Sequence, residues 1–373
     1  MMVFSYILVI LLNIGCCFRK KNSRSIVILT VAYIMLCVAG SVDNADYYNY
    51  HEWYLGNWHP PTVEKGYLFL SDLFSKFGIP YWGFLAVTQL FILGILLWIA
   101  HLYSKEYHII LVLYMSYQIF IDYVQRRNAL ALAIFVLAVL FLANGKKIAY
   151  IFCIIIAFLI HKSMIIFLPF VILSSNSKFS KKTVRLFTII LSIACVFLFV
   201  NGNKLPFLKQ LSQIASHYTI MEGKFDRYMN SKTRFGFIYP FWTYFINLLL
   251  AYISKNIVES QSIIEKGMEK IVSFVNMAYY FVCVSAFALP LVMINEEFIR
   301  YFRCGNVLIY LMVSIVVLIC KKYKPSKLKI LKKVKADYFT YYLIVIINIV
   351  SWVVVYTPNN VVSMLFKTNI WLT

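Results

Sequence analysis

Long apolar runs separated by short polar interruptions make up almost the whole chain. Twelve of them read as membrane helices: 3–18, 25–41, 82–103, 108–124, 128–143, 147–160, 162–174, 184–200, 237–254, 271–292, 303–320 and 337–356. Most approach the ~20 residues needed to cross a hydrocarbon core. A transmembrane barrel would instead show short segments of alternating hydrophobicity. The run 162–174 is short, about 20 Å at 1.5 Å per residue, so 147–174 reads as containing a broken or re-entrant helix. The first run lacks a basic n-region and a small-residue cleavage site, and Val3–Phe18 is expected to be a retained helix. The pattern predicts an all-α, polytopic integral membrane protein, one transmembrane domain over 1–373 with about 12 helices and both termini on one side.

Composition agrees: 62% of residues are hydrophobic, only 14% are charged and mean hydropathy is +0.76. Soluble domains carry roughly 25% charged residues. The net charge of +21 suggests nucleic acid until the lysines are located. They sit in short loops at 19–24, 105–106, 144–147, 175–185, 255–270 and 321–336, which hold 22 of the 36 basic residues. That is topogenic charge, marks these loops as cytoplasmic and excludes nucleic acid as a partner. Segment 321–336 alone has eight lysines and faces anionic lipid heads. The eight cysteines lie in or beside apolar runs without metal or disulfide spacing.

Arginine does not follow lysine. Nineteen of 27 lysines fall on the cytoplasmic side, whereas six of nine arginines (Arg126, Arg127, Arg227, Arg234, Arg300 and Arg303) fall on the other. Guanidinium presents a fixed fork of donors suited to phosphate or carboxylate, so the split points to an extracytoplasmic anion site. Its centre is Tyr123–Asn128 (Tyr-Val-Gln-Arg-Arg-Asn), with Arg126 and Arg127 between two apolar runs and only Asp122 nearby. A short basic loop at the membrane surface is the bland alternative.

Two outer segments, about 42–81 and 201–236, are long enough to act. The first carries Asp43, Asp46 and a dense Tyr/Trp stretch, which reads either as an interfacial belt or as flat faces for sugar rings. Glu64-Lys-Gly-Tyr67 follows and opens an amphipathic run, 68–77, expected to lie along the surface. Glu64 is the best carboxylate candidate, either as a base or as a solvated loop acid, and Gly66 beside it would let backbone approach a ligand. His161, at the end of an apolar run, reads either as a helix-end cap or as a base or oxyanion donor. Glu296 and Arg300 would pair at i,i+4 on a helix, leaving Arg303 unassigned.

No Walker loop, GxSxG elbow, HExxH or Rossmann glycine pattern occurs. Outer-face arginines, acids and a histidine suit glycosyl transfer from a lipid diphosphate, the arginines holding the departing diphosphate and Glu64 or His161 deprotonating the attacking hydroxyl.

At these residues the chain resembles the EpsG-like branch of the Wzy-type bacterial polysaccharide polymerases. The resemblance rests on Asp46-Tyr-Tyr-Asn-Tyr, Glu64-Lys-Gly-Tyr67, Gln125-Arg-Arg-Asn-Ala-Leu-Ala131 and His161-Lys-Ser163, in order over about residues 40–175, with weaker support at Arg300-Tyr301. Arg127 takes the place of the family arginine, and Asn128 stands where glutamine is usual. Arg126 is an additional base without an assigned role. The resemblance implies polymerisation of undecaprenyl-diphosphate-linked repeat units into O-antigen, capsule or exopolysaccharide, on the outer face of the bacterial cytoplasmic membrane. It implies Glu64, His161 and Arg127 as catalytic residues. Asp46, Tyr67, Gln125, Arg126, Arg227, Arg234, Arg300 and Arg303 would bind diphosphate or glycan. No metal or cofactor is called for; the partners are the lipid-linked substrate, the bilayer, a chain-length regulator and a flippase. Two rivals remain open: a lipid-linked oligosaccharide flippase, which would line a two-sided cavity with charge, and a membrane O-acyltransferase, for which His108 is the single inner-side candidate.

Overall fold

The computed structural model describes residues 2–19, 23–42, 44, 46–61, 63–175, 177–202, 237–294, 296–325, 327–330, 334–356 and 365–371. All the major elements are helices: α1 (Met2–Cys17), α2 (Arg24–Gly40), α3 (Tyr47–Leu55), α4 (Lys65–Lys76), α5 (Tyr81–Tyr103), α6 (Tyr107–Asp122), α7 (Arg126–Ala143), α8 (Lys147–Ile160), α9 (Lys178–Val200), α10 (Ile238–Ile264), α11 (Glu269–Ile294), α12 (Arg303–Tyr323) and α13 (Tyr338–Tyr356). Two-residue strands, Leu328–Lys329 and Lys335–Ala336, pair antiparallel within the basic segment.

All twelve apolar runs fall on helical elements. Among the described residues five helices (α5, α7, α9, α11 and α12, the last counted from Phe298) are long and apolar enough to span a bilayer; six further apolar helical segments are shorter, and α10 is longer but less apolar. In the middle of the bundle stands α7, whose spanning window is 83% buried. Its sequence explains this: it is apolar on every face, and Ala129, Ala131, Ala133 and Ala138 let α5, α8, α11 and α12 approach closely. Helix α9 is the opposite case, only 11% buried and turning Ile189, Ile193 and Val196 outward.

Several boundaries differ from the reading of the sequence. Helix α9 begins at Lys178 instead of 184, and α10 runs 27 residues to Ile264, so most of the expected loop 255–270 is helix. At 1.5 Å per residue α10 is about 40 Å long, longer than a hydrocarbon core, and it carries an i,i+4 pair, Lys255–Glu259 at 3.0 Å, beyond its apolar part. The expected outer loop 42–81 holds α3 and α4, with Tyr50, Trp53, Tyr54 and Tyr67 packed into the bundle. Segment Lys162–Ile172 is a 3-10 helix containing Pro169, about 22 Å long at 2 Å per residue, which accounts for the weak apolar run there. Glu296–Tyr301 is also 3-10, so residues 296 and 300 do not stack as they would on an α-helix; the side chains of Glu296 and Glu297 lie outside the description. Asp43 and the segment 203–236, with Arg227 and Arg234, likewise lie outside the described residues.

Candidate functional site

Two helices that open on arginine point their N-termini at one cavity. Arg126 and Arg127 begin α7 and Arg303 begins α12, and neither first turn contains an acid. A helix N-terminus carries roughly half a positive charge, so cations there oppose the dipole while an anion complements it. The two ends are tied together: Arg303 donates through Nη2 to Oε1 of Gln125, the residue that precedes α7. The cavity between them measures about 500 Å³; its wall includes Asp46, Tyr50, Tyr117, Gln125, Arg127, Asn128, His161, Arg300 and Arg303. Among the described residues, three guanidinium groups and one carboxylate line this wall, a net positive balance.

The two adjacent arginines go to opposite sides of α7's first turn. Arg127 forms an ion pair with Glu64, donates from Nε to the Tyr50 hydroxyl at 3.2 Å, and packs over Tyr50 and Trp53 at 5.5 and 5.1 Å. These contacts hold its fork at the cavity wall. Arg126 is buried and turns to α5, donating to Gln89 Oε1 (2.8 Å), Thr88 Oγ1 (2.7 Å) and the Leu85 carbonyl (3.1 Å). It does not line the cavity; it locks α7 to α5.

Glu64 stands behind Arg127. One carboxylate oxygen takes the guanidinium and the other accepts the Lys162 N–H at 3.1 Å, so the acid joins α4, α7 and the 3-10 segment. It is a counterion and is not part of the cavity wall. Gly66 makes this docking possible: a Cβ there would lie 2.7 Å from the Leu159 carbonyl of α8. The close backbone approach expected of Gly66 is therefore made to α8 and not to a ligand. Tyr67 is fully buried against Tyr50 and also lies off the wall.

His161 lies on the wall, between α8 and the 3-10 segment. The Ser163 backbone N–H donates to its Nδ1 (3.3 Å), and the Ser163 hydroxyl lies 2.8 Å from the same atom. A backbone N–H can only donate, so in the neutral ring Nδ1 accepts and the proton sits on Nε2. Burial depresses the pKa of His161, with Arg127, Arg300 and Arg303 adding to the effect against the opposing pull of Glu64, and the ring is neutral at pH 7. Asp46, at the start of α3, is shifted the other way: burial raises its carboxyl pKa, against the pull of Arg127 and Arg300.

A polar network inside the bundle lies outside the sequence reading. Asp122 is buried and accepts from the Tyr114 hydroxyl (2.9 Å) and from Gln118 Nε2 (2.8 Å), while Gln89 Nε2 donates to the same tyrosine oxygen at 2.8 Å. A π-helical turn at Tyr114–Gln118 occurs where these groups converge. The available signal was Gln118 and Asp122 four apart within an apolar run. Asp122 also attracts Arg303 and Arg126.

The structure thus brings Asp46, Gln125, Arg127, His161, Arg300 and Arg303 to one cavity, with Glu64 directly behind, and directs Arg126 and Tyr67 into the packing. In comparisons with known proteins, a family model described as the EpsG family matches residues 25–362. Neither curated proteins nor solved structures gave a match.

Proposed function

We propose that this chain, which belongs to the EpsG family, is a membrane glycosyltransferase that joins lipid-diphosphate-linked oligosaccharide units into a polysaccharide. The family places it among membrane proteins of polysaccharide biosynthesis; the reaction and the roles below are our reading. One observation carries it: arginine-led N-termini of α7 and α12 meet at a cavity with a net positive wall. A diphosphate fits that field, and arginine stabilises the charge that grows on it as it leaves.

In the reaction, a sugar hydroxyl of one unit attacks the anomeric carbon of the other. A glycosidic C–O bond forms, and the bond from that carbon to the diphosphate oxygen breaks, its electron pair leaving with the lipid diphosphate. Arg127, Arg300 and Arg303 hold that group. The hydroxyl proton goes to Asp46, a wall carboxylate whose burial strengthens it as a base. Glu64 is committed to Arg127, and His161 Nδ1 is committed to Ser163, so neither of these serves as the base. His161 instead donates Nε2–H toward the anion. Gln125 sets Arg303, Arg126 sets the start of α7, and Tyr50 braces Arg127. Arg227 and Arg234 are proposed glycan or diphosphate contacts on sequence grounds alone, whereas Tyr67, buried against Tyr50, has a packing role. The lysine distribution supports an extracytoplasmic site on the cytoplasmic membrane; undecaprenyl diphosphate as the carrier, with a flippase and a chain-length regulator as working partners, follows from the resemblance to the Wzy-type polymerases.

The rivals have less support. The charge on this cavity gathers at one end of the bundle, which does not suit a flippase. His108, needed for acyl transfer, is buried and bonded to Asn13 Oδ1 at 2.8 Å.

The test is purified protein with a synthetic lipid-diphosphate repeat unit and no nucleotide sugar. A product ladder is expected, and Arg127→Ala should lower it by at least about a hundredfold while the protein still inserts. An unchanged ladder in that variant, or lipid flipping without elongation, would overturn the reading.

A further inference from the structure

A second cavity, about 890 Å³, opens between α9, α10 and α11. Its mouth lies at the other end of the bundle from the arginine cavity. Helix α12 runs from Arg303 to Tyr323, about 30 Å at 1.5 Å per residue, and the chain beyond its far end supplies Lys329 to this cavity. Asn256 fixes that connection by donating to the Ile330 carbonyl at 3.1 Å.

The mouth is basic. Among the described residues Lys181, Arg185, Lys255 and Lys329 line it, against one lining acid, Glu259, which Lys255 already engages at 3.0 Å. Among the described residues Lys181, Arg185 and Lys329 have no ion-pair partner. Deeper in, the walls become Val184, Leu248 and Tyr244. Helix α9, which forms one side, is the most lipid-exposed of the spanning helices, so the groove opens sideways to the bilayer.

We propose that this groove is a binding site for an anionic phospholipid of the leaflet opposite the arginine cavity. Its phosphate sits among Lys181, Arg185 and Lys329, and an acyl chain lies along Leu248 and Tyr244. Cations at an interface attract lipid phosphate, and apolar depth distinguishes a lipid from a soluble phosphate. The site shares no residue with the proposed catalytic centre.

The test uses full-length protein in nanodiscs and native mass spectrometry. Phosphatidylglycerol should be retained over phosphatidylcholine, and Lys181→Gln/Arg185→Gln should weaken its retention by about tenfold or more. Both side chains are exposed, so folding should survive. Leu248→Trp, which fills the depth, should also displace the lipid while leaving the mouth charges in place. Equal retention in all three proteins would overturn the proposal. So would inorganic phosphate at millimolar concentration displacing phosphatidylglycerol or matching its thermal stabilisation, since the site would then take a soluble anion.

Discussion

Glu64→Gln removes the counter-charge of Arg127 at almost constant volume, and its cost can be worked from the contacts. The Glu64 side chain is 8% exposed and that of Arg127 22%, and the carboxylate also accepts the Lys162 N–H at 3.1 Å. Glutamine keeps one acceptor oxygen where two are used, so one of the two bonds is lost. A hydrogen bond to a charged group contributes about 1.5–3 kcal/mol, and breaking a fully buried pair costs about 3–5. Arg127 reaches the cavity and its water, so the lower range applies and Glu64→Gln should cost about 2–3 kcal/mol. Arg127→Gln should cost about 3 kcal/mol, because it leaves the more buried partner charged and also loses the Tyr50 bond at 3.2 Å. In the double variant neither charge remains, and the loss should be about 1.5–2 kcal/mol smaller than the sum of the two single losses. Equilibrium unfolding in mixed detergent micelles, followed by circular dichroism, measures all four proteins. Additivity to within about 0.5 kcal/mol would refute the pairing, because independent sites add to that tolerance. A lipid diphosphate should also raise the unfolding midpoint of Glu64→Gln more than that of the parent, since it supplies the missing anion.

Burial raises the Asp46 pKa, so its basic form disappears as pH falls through a value above the usual carboxylate range of about 3.9; kcat/KM should show an acid limb there, and Asp46→Asn should remove the limb and lower kcat/KM about a hundredfold or more. His161 moves the other way: with its folded pKa depressed, the unfolded chain takes up a proton that the native state refuses, so stability should fall as pH drops below about 6.5. The unfolding midpoint of His161→Gln should be flatter between pH 7.5 and 5.5 than that of the parent. Gly66→Ala places a Cβ 2.7 Å from the Leu159 carbonyl and should cost about 1–3 kcal/mol and reduce polymer yield, whereas Gly94→Ala, with nothing within 4 Å, should change neither.

What could be read from the chain follows its solvent. Continuous apolar runs announce helices because lipid offers backbone groups no other partner, and the twelve runs fall on helical elements. Their ends were less legible. Hydropathy drops at Lys178 and Lys255, yet α9 and α10 continue there, because lysine, arginine and glutamate are good helix formers outside the hydrocarbon. Helix α3 reads as loop because its aromatic residues look interfacial until packing turns Tyr50 and Trp53 inward, while α4 is legible as the amphipathic run 68–77 but the burial of Tyr67 at its start is not. At the site, charges stood out against an apolar background, so the arginines, Asp46 and His161 could be named. Glu64 could be named but not given its role, since base and counterion differ only in how α4 docks on α8. The bond from Arg303 to Gln125, across 178 positions, left no local trace.

The acceptors that hold the arginines explain why the cavity remains positive. Arg126 is buried on an amide, a hydroxyl and a carbonyl, and Arg303 on the amide of Gln125. Such neutral oxygens satisfy guanidinium donors without cancelling charge. The one carboxylate that pairs directly with an arginine of this cluster, among the described residues, is Glu64, and it sits behind Arg127. Asp122 tempers Arg303 and Arg126 from inside the bundle, but its oxygens are held by Tyr114 and Gln118 and are not offered to the cavity. With two helix N-termini adding to the same field, Arg127 and Arg303 leave positive potential at the cavity for an anion to complement. Replacing Gln125 with Glu should therefore weaken substrate binding more than it weakens the fold, because the new carboxylate would keep hold of Arg303 while neutralising the charge the anion needs; a raised KM at nearly constant unfolding midpoint is the expected result, and an unchanged KM would show that Arg303 does not face substrate.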